Sequence, residues 1–140
     1  MHGFTTERQI EDKIFEWLVS QSQAKLRIHR QYRLACEKNG SYDKPDLIIE
    51  TTDKAIVLEV KLYRGIEPDL IQLSRYLRNR AIQNQFSSLS LHGVLVAHSY
   101  DIRKIQSDII KMKGCSCYSY ASDKVLPLSC VAGDDVLNSL

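Results

Sequence analysis

Residues 45–61 read PDLIIETTDKAIVLEVK, and the fold turns on how this stretch pairs with itself. Two runs rich in Ile, Val and Leu, 46–51 and 55–62, flank the polar Thr52-Asp53-Lys54, which is the pattern of a β-hairpin. Side chains alternate faces along a strand, so Asp46, Ile48 and Glu50 share one side of the first run. Val57, Glu59 and Lys61 likewise share one side of the second. A two-residue loop at Thr52-Asp53, or a four-residue loop over 51–54, sets Asp46 opposite Glu59; a two-residue loop at Asp53-Lys54 sets it opposite Lys61. Each of these loops gathers Asp46, Glu59 and Lys61 on one face, whereas a three-residue loop without a bulge separates them. The other face then carries Leu47, Ile49, Ile56, Leu58 and Val60, an apolar surface suited to a helix.

Two carboxylates and an ammonium on a rigid hairpin, buried on one side, have a definite chemical use. Carboxylate oxygens at that spacing suit a hard divalent cation, and Mg²⁺ takes one or two protein carboxylates together with waters and phosphate oxygens. That is the geometry of phosphodiester hydrolysis: the ion polarises the phosphoryl oxygen and acidifies a bound water, while the lysine orients that water or offsets transition-state charge.

Outward from the hairpin, the chain alternates helices and strands without repeats or linkers. Thr5-Thr6-Glu7 has the character of a helix start, followed by an apolar stripe at Ile10, Ile14, Trp17 and Leu18 that runs to about Ser22. Residues 26–36 alternate apolar and basic side chains as a half-buried strand, and Asn39-Gly40-Ser41 supplies a turn. After Gly65, Leu70, Leu73 and Leu77 mark a helix over 67–80, with Pro68 in the tolerated first turn. Residues 93–97 form a short buried strand. Ile102, Ile105, Ile109 and Met112 mark a helix that stops at Gly114, and residues 115–120 form a last strand. Residues 121–140 carry weak signals and read as a packed or frayed tail. The expected architecture is α/β, a mixed sheet flanked by helices. The strand-helix-strand portion favours parallel crossovers and the middle favours an antiparallel hairpin.

The 140 residues fit one domain, with a core over about 6–120. No apolar run reaches the roughly 20 residues of a membrane span, and the first twelve residues lack the apolar segment of a secretory signal, so a soluble, cytoplasmic protein without a membrane partner is expected. Nineteen Lys and Arg against seventeen Asp and Glu give a net charge of +2, which neither demands nor excludes a polyanion. Cys36, Cys115, Cys117 and Cys130 lack the C-x2-C spacing of zinc knuckles and read as reduced thiols. His92 and His98 read as polar residues at strand edges.

The residues resemble the PD-(D/E)XK nuclease superfamily of the restriction-endonuclease-like fold. The motif stands as Pro45-Asp46, then Glu59-Val60-Lys61 beginning thirteen positions after Asp46. Eleven residues after Lys61, Gln72-Leu73-Ser74-Arg75-Tyr76 is similar to the Gln-x-x-x-Tyr helix motif of the RecB-type branch. Over about 6–120 the chain also resembles the catalytic domain of NucS-type mismatch-cutting endonucleases, without their separate amino-terminal domain. The resemblance implies an αβββαβ core and metal-dependent cleavage of DNA. By it, Asp46 and Glu59 bind Mg²⁺ or Mn²⁺ with the Val60 carbonyl as an extra ligand, and Lys61 assists the water. Glu7, or its rival Glu11 one turn later, supports the metal through water, with Glu7 favoured, and Gln72 and Tyr76 complete the pocket from one helix face.

Each piece has an ordinary reading too. An isolated Glu-x-Lys is usually an exposed strand pair, and Gln72 and Tyr76 could form the polar edge of an amphipathic helix. Arg30, Arg33, Arg75 and Arg78 are candidates to hold phosphates, but basic residues are more often simply solvated. Two rival readings fit the same residues. One is a structure-selective junction resolvase of the same fold, for which a homodimer is expected; the other is a nucleic-acid-binding module without catalysis.

Overall fold

The computed structural model describes residues 3–21, 26–32, 34–35 and 42–140. Arg33, Cys36, the Asn39-Gly40-Ser41 turn and the expected helix end at Ser22 lie outside the described residues.

The first helix, α1 (Glu7–Ser20), starts where the sequence signals it. Thr6 Oγ1 accepts from the Gln9 backbone N–H, and Gln9 Oε1 accepts from the Thr6 backbone N–H, so two otherwise unpaired donors of the first turn are satisfied. Ile10, Ile14 and Leu18 recur every four residues and are buried. They pack on Leu47, Ile49, Ile56, Leu58 and Val60, the apolar face expected for the hairpin. Truncating Ile14 to Ala would cost about 2–5 kcal/mol.

Beyond α1 come β1 (Arg27–Arg30), a two-stranded pair of β2 (Leu34–Ala35) and β3 (Tyr42–Asp43), β4 (Leu47–Glu50) and β5 (Lys54–Gly65). The expected strand over 26–36 is thus divided. The break is at Gln31, whose φ of +52° is incompatible with an extended run. Next follow α2 (Glu67–Arg78), α3 (Arg80–Gln85), β6 (Ser90–Tyr100), α4 (Ile102–Lys111), β7 (Cys115–Ala121) and β8 (Lys124–Ala132).

Six strands form one mixed sheet in the order β1-β4-β5-β6-β7-β8. β1 with β4 and β4 with β5 are antiparallel, β5 with β6 and β6 with β7 are parallel, and β7 with β8 is antiparallel. The two parallel pairs are joined through helices, as the strand-helix-strand pattern requires. α1 covers one face, and α2 packs Leu70, Leu73 and Tyr76 against Ile48, Ala55 and Val57 on the other, with Ile82 and Ile105 alongside.

Two expectations need correction. The helix over 67–80 ends at Arg78, and Asn79 turns the chain by accepting from the Ala81 and Ile82 backbone N–H groups to start α3. Residues 121–140 are more than a tail, because β8 pairs with β7 and closes the sheet, and Val136 and Leu137 are buried against the α1 side. Pro127 lies inside β8, which weakens any reading of that run as a strand. An edge strand is where a sheet accommodates proline, and β8 is at the edge.

Candidate active site

The hairpin register pairs Leu47 with Leu58, Ile48 with Val57, Ile49 with Ile56 and Glu50 with Ala55. The Thr51 backbone N–H donates to the Lys54 carbonyl at 2.9 Å, and Thr51 Oγ1 accepts from the Lys54 and Asp53 backbone N–H groups. The turn therefore holds Thr52 and Asp53 at its tip. Continuing the register sets Asp46 opposite Glu59, the first of the pairings open to the sequence.

At this end of the hairpin the face under α2 changes from apolar to ionisable. The Asp46 backbone N–H donates to Glu59 Oε1 at 2.9 Å, and Asp46 Oδ2 accepts from the Val60 backbone N–H at 2.8 Å. Within a strand the N–H and C=O of one residue point to the same neighbour, so the Val60 carbonyl is turned toward the Asp46 side. Glu59 is 6% exposed. Burial, and next the negative charge of Asp46, push the Glu59 carboxyl above the ordinary carboxylate range. Asp46 is raised as well, first by burial, with Glu11 and Glu7 adding repulsion and the Val60 N–H opposing it. Two partly desolvated acids that each resist ionisation next to the other form a site that a cation would relieve.

Lys61 Nζ lies 3.7 Å from Asp69 Oδ1. Asp69 also accepts from the Ile66 backbone N–H at 2.9 Å through Oδ2, so the residue that opens α2 also holds the lysine. Asp69 escapes a reading for catalytic motifs because its signal is that of a first-turn helix acid.

The two rival acids of α1 have separate surroundings. Glu7 is exposed and reaches β5, where its Oε2 accepts from the Leu62 backbone N–H at 3.3 Å. Its charge raises both Asp46 and Glu59. Glu11 is 2% exposed and already engaged: Arg30 Nε donates to its Oε2 at 3.0 Å, Arg30 Nη2 bonds it also, and Gln31 Nε2 donates to its Oε1 at 2.8 Å. The same guanidinium bonds Asp12 and lies 4.8 Å from the centre of the Phe15 ring. Arg30 is thus a bridge between α1 and β1, which leaves its charge committed within the protein.

Gln72 and Tyr76 sit on α2 over the sheet face that bears Asp46, Glu59 and Lys61. Gln72 Nε2 donates to the Tyr76 hydroxyl at 3.0 Å, and Tyr76 is packed in the core beside Ile48 and Val57. Arg75 and Arg78 are exposed in the last turn of α2, where positive charge also complements the helix dipole. Among the described residues, no three His, Cys, Asp or Glu side chains converge closely enough to hold an ion by themselves. What the chain offers a cation is the Asp46–Glu59 pair, a donor set suited to an ion that keeps waters and takes phosphate oxygens.

Cys115 and Cys117 lie elsewhere, on β7. Burial pushes Cys115 up to about 11 and Cys117 up to about 12, away from the reactive range. His98 bonds the Tyr120 carbonyl at 3.1 Å, in keeping with a structural role. Among the described residues no helix is long and apolar enough to cross a membrane. Comparison of the chain with protein-family models, curated proteins and solved structures gave no significant match.

Proposed function

We propose that the chain is a metal-dependent nuclease that hydrolyses phosphodiester bonds in DNA, with Mg²⁺ or Mn²⁺ held by Asp46 and Glu59. The observation that carries this reading is the meeting of Asp46 and Glu59 across the hairpin, with Lys61 on the same face and bound to the start of α2. The donor set fits the ion, because two mutually repelling carboxylates in partly desolvated surroundings lack only a positive charge. The ion, when bound, supplies Lewis-acid polarisation of a phosphate oxygen and a water of lowered pKa.

The remaining chemistry belongs to the chain. Lys61, held by Asp69, presents its ammonium to the attacking water or to the charge that develops on the phosphorus oxygens. Glu7 approaches from α1 as the exposed carboxylate of the set and can accept a hydrogen bond from water. Gln72 and Tyr76, bonded to each other, form the wall on the α2 side.

The order of α1, then β1, β4 and β5, then α2 and β6 supports an αβββαβ core of the restriction-endonuclease-like kind, with β7 and β8 added beyond it. The choice of DNA rests on the resemblance of Pro45-Asp46, Glu59-Val60-Lys61 and Gln72 to Tyr76 to the PD-(D/E)XK nucleases.

Incubating the purified chain with labelled linear, nicked, mismatched and branched DNA and with RNA, in Mg²⁺, Mn²⁺ or EDTA, tests the reading. Metal-dependent cutting of DNA is expected. Binding without cutting on every substrate would indicate a non-catalytic module, and cutting confined to branched DNA by a dimer would indicate a junction resolvase.

A further inference from the structure

Gln31 has a backbone conformation that its residue type does not favour. Its φ of +52° lies in the left-handed region, and it is the one non-glycine residue there among the described residues. Glycine occupies this region at no steric cost, so a glutamine there points to work done by its side chain.

That side chain joins two acids distant in sequence. Gln31 Nε2 donates to Glu11 Oε1 at 2.8 Å and, over a longer 3.4 Å, to Asp46 Oδ1. A primary amide carries two N–H donors, so both bonds can form at once. The Gln31 backbone N–H also donates to the Asp46 carbonyl at 3.0 Å. Glu11 is fixed from behind by Arg30, which makes the amide part of a continuous chain of contacts, Arg30–Glu11–Gln31–Asp46. Asp46 is consequently held at both oxygens, Oδ1 by Gln31 and Oδ2 by the Val60 N–H. The neutral amide also separates Glu11 from Asp46, whose charges repel.

We propose that Gln31 is a positioning residue that sets the orientation of the Asp46 carboxylate for the divalent cation. This rests on the reading of Asp46 as a metal ligand. Groups that orient metal ligands from behind typically contribute 10–100-fold to metal affinity or activity.

The test uses Gln31→Gly, which accepts the left-handed backbone and removes the amide, and Gln31→Glu, which keeps the length and loses the donor. Gln31→Asn keeps an amide and tolerates the same backbone. Three quantities are measured on the full chain: thermal midpoint in EDTA, Mn²⁺ affinity by calorimetry, and hydrogen exchange of the Val60 amide. Gln31→Gly is expected to leave the midpoint near that of the wild type, relief of the left-handed backbone offsetting the lost bond to Glu11, to weaken Mn²⁺ binding about tenfold and to speed Val60 exchange. Gln31→Asn is expected to recover part of both losses, and Gln31→Glu, which also adds a negative charge beside Glu11 and Asp46, is read by Val60 exchange should the glycine variant unfold. Wild-type Mn²⁺ affinity and Val60 exchange in Gln31→Gly and Gln31→Glu would overturn the proposal and leave the nuclease reading standing. A wild-type chain that binds no Mn²⁺ would overturn the metal reading and the metal role of Gln31. Faster Val60 exchange in the variants would then uphold only the orientation of Asp46.

Discussion

Asp46 and Glu59 clasp each other across the hairpin: the backbone N–H of Asp46 donates to the Glu59 carboxylate at 2.9 Å. Beside it, the Asp46 carboxylate takes the Val60 N–H. The main chain thereby brings two acids together in partly desolvated surroundings although their charges repel.

The first prediction concerns pH. Both carboxyls are raised in the folded chain, by burial first, so the folded state retains protons that the unfolded state has released. The stability this contributes is fully present below the ordinary carboxylate range near pH 4 and is lost as pH rises through the raised values. In EDTA, the wild-type chain should therefore lose stability relative to the Asp46→Asn/Glu59→Gln double variant as pH climbs above about 4. Added Mg²⁺ or Mn²⁺ should raise the wild-type midpoint more at pH 8 than at pH 5, because the ion competes with those protons. Thermal melts across pH measure both effects, and a wild-type advantage that grows with pH in EDTA would contradict the account.

A second prediction separates the two acids of α1. Glu11 is buried against Arg30, so Arg30→Ala removes its closest cation and leaves the exposed Arg8, 3.9 Å from the same oxygen, as its remaining cationic neighbour. The cost should be about 3 kcal/mol in urea unfolding, the low end for a broken buried pair because Arg30 is partly exposed and both Arg8 and Gln31 remain. Glu7→Gln should change stability by less than about 0.5 kcal/mol yet reduce cutting. The reverse pattern, with a stable Arg30→Ala and an unstable Glu7→Gln, would move the functional role from Glu7 to Glu11.

Asp69 gives a third. Asp69→Asn preserves an acceptor for the Ile66 N–H and so the start of α2, but it removes the negative charge 3.7 Å from Lys61. Turnover is expected to fall about tenfold, the lower end for a group that orients a reacting one, with the thermal midpoint nearly unchanged. Unchanged turnover would mean that Lys61 does not depend on Asp69 for its placement.

Much of this arrangement was legible in the sequence, for local reasons. The alternation of the two runs determines which face each side chain takes, while the turn length was open in the sequence and the structure selects the even-length turn at Thr51 to Lys54 that pairs Asp46 with Glu59. Thr5-Thr6-Glu7 marks the start of α1, where Thr6 and Gln9 bond each other within four residues. Features built by distant segments had no such local signal. Arg30 meets Glu11 across nineteen positions, and Gln31 reaches Asp46 across fifteen. Neither residue belongs to a motif, and Gln31 occupies a conformation for which glycine would have been the sequence cue. β8 was obscured by Pro127, whose missing N–H is tolerated only because the sheet ends there. α3 escaped notice because Asn79, read as part of a longer helix, instead caps a new one.

The central claim is that Asp46, Glu59 and Lys61 form one metal-dependent site for phosphodiester cleavage. It is tested most directly by comparing DNA cutting by the wild-type chain, Asp46→Ala and Lys61→Ala in Mg²⁺, with circular dichroism confirming each fold. The account predicts cutting by the wild type that EDTA abolishes, none above background from Asp46→Ala, and a loss of about 10²–10³-fold or more in Lys61→Ala. Full activity of either folded variant would contradict it.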